Sequence, residues 1–375
     1  MPSKSSAREF SLLIKPASAD CNLRCDYCFY LDRASLYPEE KVHRMNDEVL
    51  EKMVRSFLGL RQNGYSFGWQ GGEPALMGLN FFKKVTEFQE RYGRRGAVIS
   101  NGLQTNGTLI TDEMARHFAR YKFLVGISLD GPKDLHNQFR KKQDAGGSYD
   151  DVIRGIETLK RNNVEFNVLV LVSSANVEKP GAVYNHLTDM GIAYHQYIPC
   201  VEFDEQGNPL PWTITGEQWG NFLTNIFHLW HSRNDIRKVS IRNFDAVLQL
   251  LVNKQIVMCT MGRNCSSYFV VEYNGDVYPC DFFVQKDLYL GNILSNSWEE
   301  LRSNRTYRNF GRKKSETHRL CRECPYLSFC AGDCLKHRIS PISDHKTLSR
   351  LCEGWKMFYR DTLPLFKSLA SMMRS

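Results

Sequence analysis

The sequence predicts an α/β protein, and three observations predict it. Over the first 200 residues short β-like runs alternate with apolar helical periodicity. A length of 375 residues with 42% hydrophobic content suits one large domain or two ordinary ones. Past residue 235 the pattern changes to dense cysteines and frequent turn signals.

The expected strands cover residues 10–15, 66–70, 97–104, 123–129, 165–172 and 193–198. Between them lie helical stretches. Asn46 is a good N-cap with Asp47 and Glu48 in the first turn, and Leu50, Met53, Val54 and Phe57 follow as an apolar face. Ser148 and Asp151 have capping-box spacing ahead of Val152, Ile156 and Leu159. Six strands alternating with helices imply parallel β/α units, as an open doubly wound sheet or a partial barrel. A helix over 217–230 closes this part, and the domains divide as 1–235 and 236–375. In the second part, strands 268–273 and 276–279 form a hairpin around Asn274-Gly275. A terminal helix over 353–373 buries Trp355, Phe358, Tyr359, Leu363 and Phe366.

Composition excludes several classes. With 24% charged and 12% aromatic residues the chain is not disordered. The start, MPSKSSAREF, lacks the apolar core of a secretory signal, and the longest apolar run, 166–172, is too short to span a bilayer. A cytoplasmic protein without membrane contact is expected. The net charge of +8 is spread thinly, with 91–95 and 312–314 as the only local concentrations. Neither is interleaved with aromatics, so both read as solvated faces and no nucleic-acid partner is expected.

Twelve cysteines in a reducing compartment point to metal or redox chemistry. Cys21-Asn-Leu-Arg-Cys25-Asp-Tyr-Cys28 follows the first strand on a loop. Three thiolates there can hold three corners of a four-iron cluster and leave one iron open. A structural zinc site needs four ligands, and only His43 is near; a fully cysteine-ligated cluster needs a fourth as well. Gly71-Gly72-Glu73-Pro74 follows the second strand.

CxxxCxxC on the first loop with GGEP on the second resembles the radical S-adenosylmethionine superfamily. The resemblance implies a partial (β/α)6 barrel, TIM-like but open on one side, with chemistry at the carboxyl ends of the strands. It implies S-adenosylmethionine as cofactor. Gly71, Gly72 and Glu73 would lie beside its methionine amino group, Tyr27 and Val201 near the adenine, and Ser128 and Arg140 at the ribose and carboxylate.

Eight further cysteines follow: Cys259, Cys265, Cys280, Cys321, Cys324, Cys330, Cys334 and Cys352. Their spacing resembles the SPASM extension, which carries two auxiliary clusters. The resemblance implies one cluster on Cys259, Cys265, Cys280 and Cys334 and another on Cys321, Cys324, Cys330 and Cys352. Zinc ribbons are the alternative, poorly matched by Cys330-x3-Cys334 and the lone Cys352. Cys200 belongs to neither set and reads as a small buried hydrophobe near the barrel mouth.

Asp281 follows Cys280 directly, and on its own reads as a turn cap. Along the full length, SLLIKPAS, CNLRCDYCFY, QGGEP, QTNG, GISLDGP, VEFNVLVLV and VYPCDFF resemble the anaerobic sulfatase-maturating enzymes. That resemblance implies three [4Fe-4S] clusters and Asp281 as base. It implies oxidation of a Cys or Ser, in a Cys/Ser-x-Pro/Ala-x-Arg segment of an unfolded sulfatase, to Cα-formylglycine. An electron donor such as flavodoxin or ferredoxin and a monomeric enzyme complete the expectation. Other SPASM enzymes that crosslink peptides, or a non-catalytic zinc or cluster protein, are the alternatives. With eleven thiolates and three oxidised clusters the net charge falls to about +3, so the basic excess reads as compensation for buried anionic clusters.

Overall fold

Parallel strands form the frame of the molecule, whose computed structural model describes residues 9–374. In chain order β1 (Ser11–Lys15), β2 (Gly64–Trp69), β3 (Val98–Thr105), β4 (Leu124–Ser128), β5 (Phe166–Val172) and β6 (Tyr194–Pro199) each pair in parallel with the next. The connecting helices are α1 (Asp47–Leu58), α2 (Gly78–Tyr92), α3 (Asp112–Arg120), α4 (Lys133–Phe139), α5 (Tyr149–Arg161) and α6 (Pro180–Asp189). After β6 come α7 (Gly216–Ser232), β7 (Ser240–Ile241) and α8 (Arg242–Asn253). All six expected strands are present, with ends shifted by one or two residues.

The cysteine-rich half joins the same sheet. β8 (Tyr268–Glu272) pairs in parallel with the free side of β1, setting Lys15 opposite Glu272. β9 (Asp276–Tyr278) pairs antiparallel with β8 as the Asn274-Gly275 turn predicts, and β10 (Gly291–Asn292) adds beyond it. The sheet therefore runs β10-β9-β8-β1-β2-β3-β4-β5-β6-β7, an open partial barrel with unjoined ends. The remaining helices are α9 (Trp298–Ser303), α10 (Arg305–Lys313), α11 (Arg319–Arg322), α12 (Leu327–Cys330) and α13 (Cys352–Met372). None of α8 to α12 is read from the sequence, because most are short and their periodicity is broken by cysteines and basic residues.

α1 starts as its cap predicts, with Asn46 Oδ1 accepting from the Val49 N–H at 2.9 Å. The capping box at Ser148 does not form. Ser148 is fully buried and its hydroxyl donates to the Arg140 carbonyl at 2.9 Å, while Asp151 pairs with Lys142 and Arg154. A buried carbonyl and the His136 ring outcompete the first-turn amide for that hydroxyl.

α13 packs on α7 and α8 and buries Phe358, Tyr359, Leu363 and Phe366, with Trp355 half-buried against Trp219. Glycine permits the approach: a methyl on Gly354 would fall 2.0 Å from the Gly216 carbonyl oxygen. This contact anchors the helix that begins at Cys352. No helix among the described residues is long and apolar enough to cross a membrane.

Candidate active site

The loop after β1 carries Cys21, Cys25 and Cys28 and is held from three sides. The Gly72 and Glu73 amides donate to the Ser18 and Asp20 carbonyls at 2.8 and 2.7 Å, and the Arg24 amide donates to the Lys141 carbonyl at 2.8 Å. Asn106, from the QTNG turn, reaches Asn22 Oδ1 at 2.9 Å and the Cys21 sulfur at 3.7 Å. Burial pushes the Cys21 and Cys25 thiols up to about 12 and about 11, and the three thiols interact electrostatically with one another. They pack with Leu23, Tyr27 and Cys200 in one small cluster, where Cys200 is buried as expected.

Each residue expected to contact S-adenosylmethionine has a defined setting. Gly71 takes φ of 115°, and methyls on Gly71 and Gly72 would strike the backbone of 18–20, so these glycines serve the approach of two loops. Glu73 is fully buried, its carboxylate accepting from Ala75 N, Thr105 Oγ1 and Asn106 N at 2.7–2.8 Å. Burial nevertheless moves its pKa upward. The Tyr27 hydroxyl donates to Asp130, and Arg140 pairs with the same carboxylate, Nε to Oδ2 at 2.9 Å, while stacking over the Tyr27 ring. Ser128 Oγ accepts from Gln104 at 3.1 Å, and Val201 is buried beside Cys200.

The later cysteines sort into two groups. Cys334, pushed far up by burial, is raised further by Cys259 and Cys280, and Cys265 is raised by burial and further by Cys259. Cys330 is raised by burial and by Cys352 and Cys321; Cys352 reaches about 11 through burial with contributions from Cys321 and Cys324. Cys321, Cys324, Cys330 and Cys352 line a single cavity with Trp355. Neighbouring thiolates disfavour one another's charge, so these couplings mark each set as adjacent.

Asp281 lies 4% exposed where the two halves meet. Its Oδ2 accepts from the Tyr30 hydroxyl and from Gln70 Nε2 at 3.1 Å. Lys15 Nζ stands 3.8 Å from Oδ1 and 2.7 Å from Glu272, and lies over the Tyr30 ring. Tyr30 follows Cys28 by two residues, and Asp281 follows Cys280, so one hydrogen bond joins the first cysteine loop to the second cysteine region. The Tyr268 hydroxyl donates to the Cys280 sulfur at 3.1 Å.

Known proteins share this arrangement. Residues 16–187 match the Radical SAM superfamily, and 259–325 match the SPASM iron-sulfur cluster-binding domain. The chain is 37% identical to the serine-type anaerobic sulfatase-maturating enzyme of Bacteroides thetaiotaomicron, over 96% of this chain and 90% of that one. It is 35% identical to the cysteine-type enzyme of Clostridium perfringens, over 97% and 99%. It belongs to the anaerobic sulfatase-maturating enzymes. The solved structure of native anSMEcpe with bound AdoMet and Kp18Cys peptide superposes with a TM-score of 0.90 at 36% identity, covering 97% of this chain and 99% of that one.

The donor sets of this sulfatase-maturating enzyme family member fit iron-sulfur clusters. Among the described residues no three Cys, His, Asp or Glu side chains converge tightly enough for a single metal ion. A four-iron cube takes its thiolates at separate corners and needs no such convergence. Three cysteines on one loop and two sets of four match one open and two closed cubes. Sequence reasoning assigned no role to Tyr30, Gln70, Lys15, Glu272 or Asp130. Lys15 carried a signal, being a charge that ends an otherwise apolar strand.

Proposed function

We propose that this protein is a radical S-adenosylmethionine oxidoreductase that converts a Cys or Ser in a sulfatase segment to Cα-formylglycine. When bound, the clusters and S-adenosylmethionine supply one-electron chemistry that removes a hydrogen from the target Cβ. Cys21, Cys25 and Cys28 hold the cluster with the open iron. Cys259, Cys265, Cys280 and Cys334 hold one auxiliary cluster, and Cys321, Cys324, Cys330 and Cys352 the other. Gly71, Gly72, Glu73, Tyr27, Ser128, Arg140 and Val201 form the S-adenosylmethionine cradle, with Asp130 fixing Tyr27 and Arg140.

The observation that carries this reading is the placement of Asp281. It is a buried carboxylate oriented by Tyr30 and Gln70 at the junction of the two cysteine regions. There it takes the proton of the target thiol or hydroxyl as the Cβ–H bond is broken. An extended peptide with a Cys/Ser-x-Pro/Ala-x-Arg pattern enters by the open side of the barrel. Residues 1–235 serve as the barrel and 236–375 as the auxiliary-cluster unit. A monomer working in the cytoplasm, supplied by a flavodoxin or ferredoxin, suits a chain with twelve free thiols.

Anaerobic reconstitution tests the reading. About twelve irons per chain are expected for three cubes. Dithionite, S-adenosylmethionine and a sulfatase-derived peptide should then give 5′-deoxyadenosine and an aldehyde-bearing peptide by mass spectrometry. Cofactor cleavage with an unchanged peptide would overturn the substrate assignment.

A further inference from the structure

We propose that the basic face built by α9 and α10 docks a small acidic one-electron carrier protein beside Cys265. The proposal rests on the functional reading above, in which oxidation of the substrate radical places an electron on an auxiliary cluster, within reach of a carrier.

Basic residues gather around the 312–314 concentration. Residues 302–322 contain eight Lys or Arg and a single acid, Glu316; of the eight, Lys314 is buried on the Cys259 and Thr260 carbonyls. Glu316 is engaged elsewhere, with His345 and Lys346. Arg305, Arg308 and Arg312 recur at i, i+3 and i+7 of α10, which sets them on one helix face, and all three are exposed. Arg302 reaches the same region from α9, stacked over Phe10. Arg302, Arg308 and Arg312 line one surface cavity together with Asn264 and Ser266.

Asn264 and Ser266 are the neighbours of Cys265, whose amide donates to the Gly311 carbonyl of α10 at 3.1 Å. Further along the chain the exposed Arg319 and Arg322 flank Cys321. A partner seated on the α9–α10 face therefore lies against the Cys265 segment. Exposed arginines clustered over a cluster site attract an anionic protein and steer its approach. The face fits a protein better than a nucleic acid. The aromatics of α10, Tyr307 and Phe310, are buried and offer no stacking platform for bases.

The exchange is a pure electron transfer. One electron passes between the enzyme and the carrier, one gaining what the other loses, and no bond forms or breaks.

The test uses reconstituted holoenzyme and an acidic flavodoxin as probe. Wild type should bind the oxidised flavodoxin with an affinity that weakens from about 0.05 M to about 0.3 M salt. Arg308→Glu with Arg312→Glu should weaken it at least about tenfold and slow flavodoxin-supported turnover about as much, leaving dithionite-supported turnover unchanged. Arg308→Gln with Arg312→Gln, a milder pair, should show a smaller loss in the same direction and serves if the reversal pair unfolds. Equal flavodoxin affinity in wild type and both pairs would overturn the proposal. Tight binding of a single-stranded oligonucleotide with none of flavodoxin would overturn it in favour of nucleic acid. Failure of dithionite-driven peptide oxidation by wild type would instead count against the functional reading, and the binding comparison would still decide the docking face.

Discussion

A methyl group on Gly72 would lie 2.1 Å from the carbonyl oxygen of Asp20, the residue before Cys21. The contact is backbone to backbone, so no side chain can rotate away to make room. The amides of Gly72 and Glu73 also hold the Ser18 and Asp20 carbonyls. Gly72→Ala therefore has to push the first cysteine loop off its support, at about 1–3 kcal/mol. A lower melting temperature is expected, with iron falling from about twelve toward about eight per chain as the first site alone empties. Full iron content would show that the loop tolerates the displacement.

Asp281 is oriented by two donors and sits beside a buried lysine, so its charge and its position are separable by substitution. Asp281→Asn preserves the shape, and the Tyr30 hydroxyl and Gln70 amide can still find an oxygen. All three clusters and S-adenosylmethionine cleavage should persist while formylglycine formation drops by at least about 100-fold, the range of a lost general base. Single-turnover assays of 5′-deoxyadenosine and peptide product check both halves. Product formed at the wild-type rate would remove Asp281 from the chemistry.

Why the barrel was legible and the junction was not follows from range. The strands and the loops at their carboxyl ends are encoded locally, in apolar runs followed by CNLRCDYC and GGEP. Tyr30 and Asp281 are 251 residues apart, and Lys15 faces Glu272 only because β8 adds to the free side of β1. No local pattern announces a long-range strand pairing. The basic face is hidden for a similar reason: Arg302, Arg308 and Arg312 are spaced along the chain and meet around one surface cavity only once α9 and α10 fold together. The capping box at Ser148 failed because burial gave its hydroxyl better partners than the helix amide.

Arg338 determines whether the segment between the two auxiliary sets can keep its shape. Ala331, Gly332 and Asp333 all adopt left-handed backbone, with φ of 50°, 73° and 66°, between Cys330 of one set and Cys334 of the other. The Arg338 guanidinium, 3% exposed, donates to the carbonyls of all three and also to those of Lys314 and His345. Arg338→Met leaves five carbonyls without that donor and should cost at least about 3 kcal/mol. On the proposed assignment the segment would supply a ligand to each set, so iron should fall from about twelve toward about four. Arg338→Lys lacks the planar fork and should recover only part of the loss, read by thermal melting and iron analysis.

His195 makes stability depend on acid. It is buried on β6 between β5 and β7, donating Nε2–H to the Ile192 carbonyl at 2.9 Å and meeting the Tyr197 hydroxyl at 3.2 Å through Nδ1. Burial lowers its pKa to about 4, against about 6.5 for the unfolded chain. Between these values the unfolded state binds the extra proton, so stability is intact above about pH 6.5 and declines as pH falls toward 4. At pH 5 the loss from this group is on the order of 2 kcal/mol. His195→Gln keeps an N–H for the Ile192 carbonyl but cannot take up the proton. Melting temperatures at pH 7 and pH 5 should therefore differ less in the variant than in wild type, by a few degrees. An equal difference would mean that His195 is not held neutral.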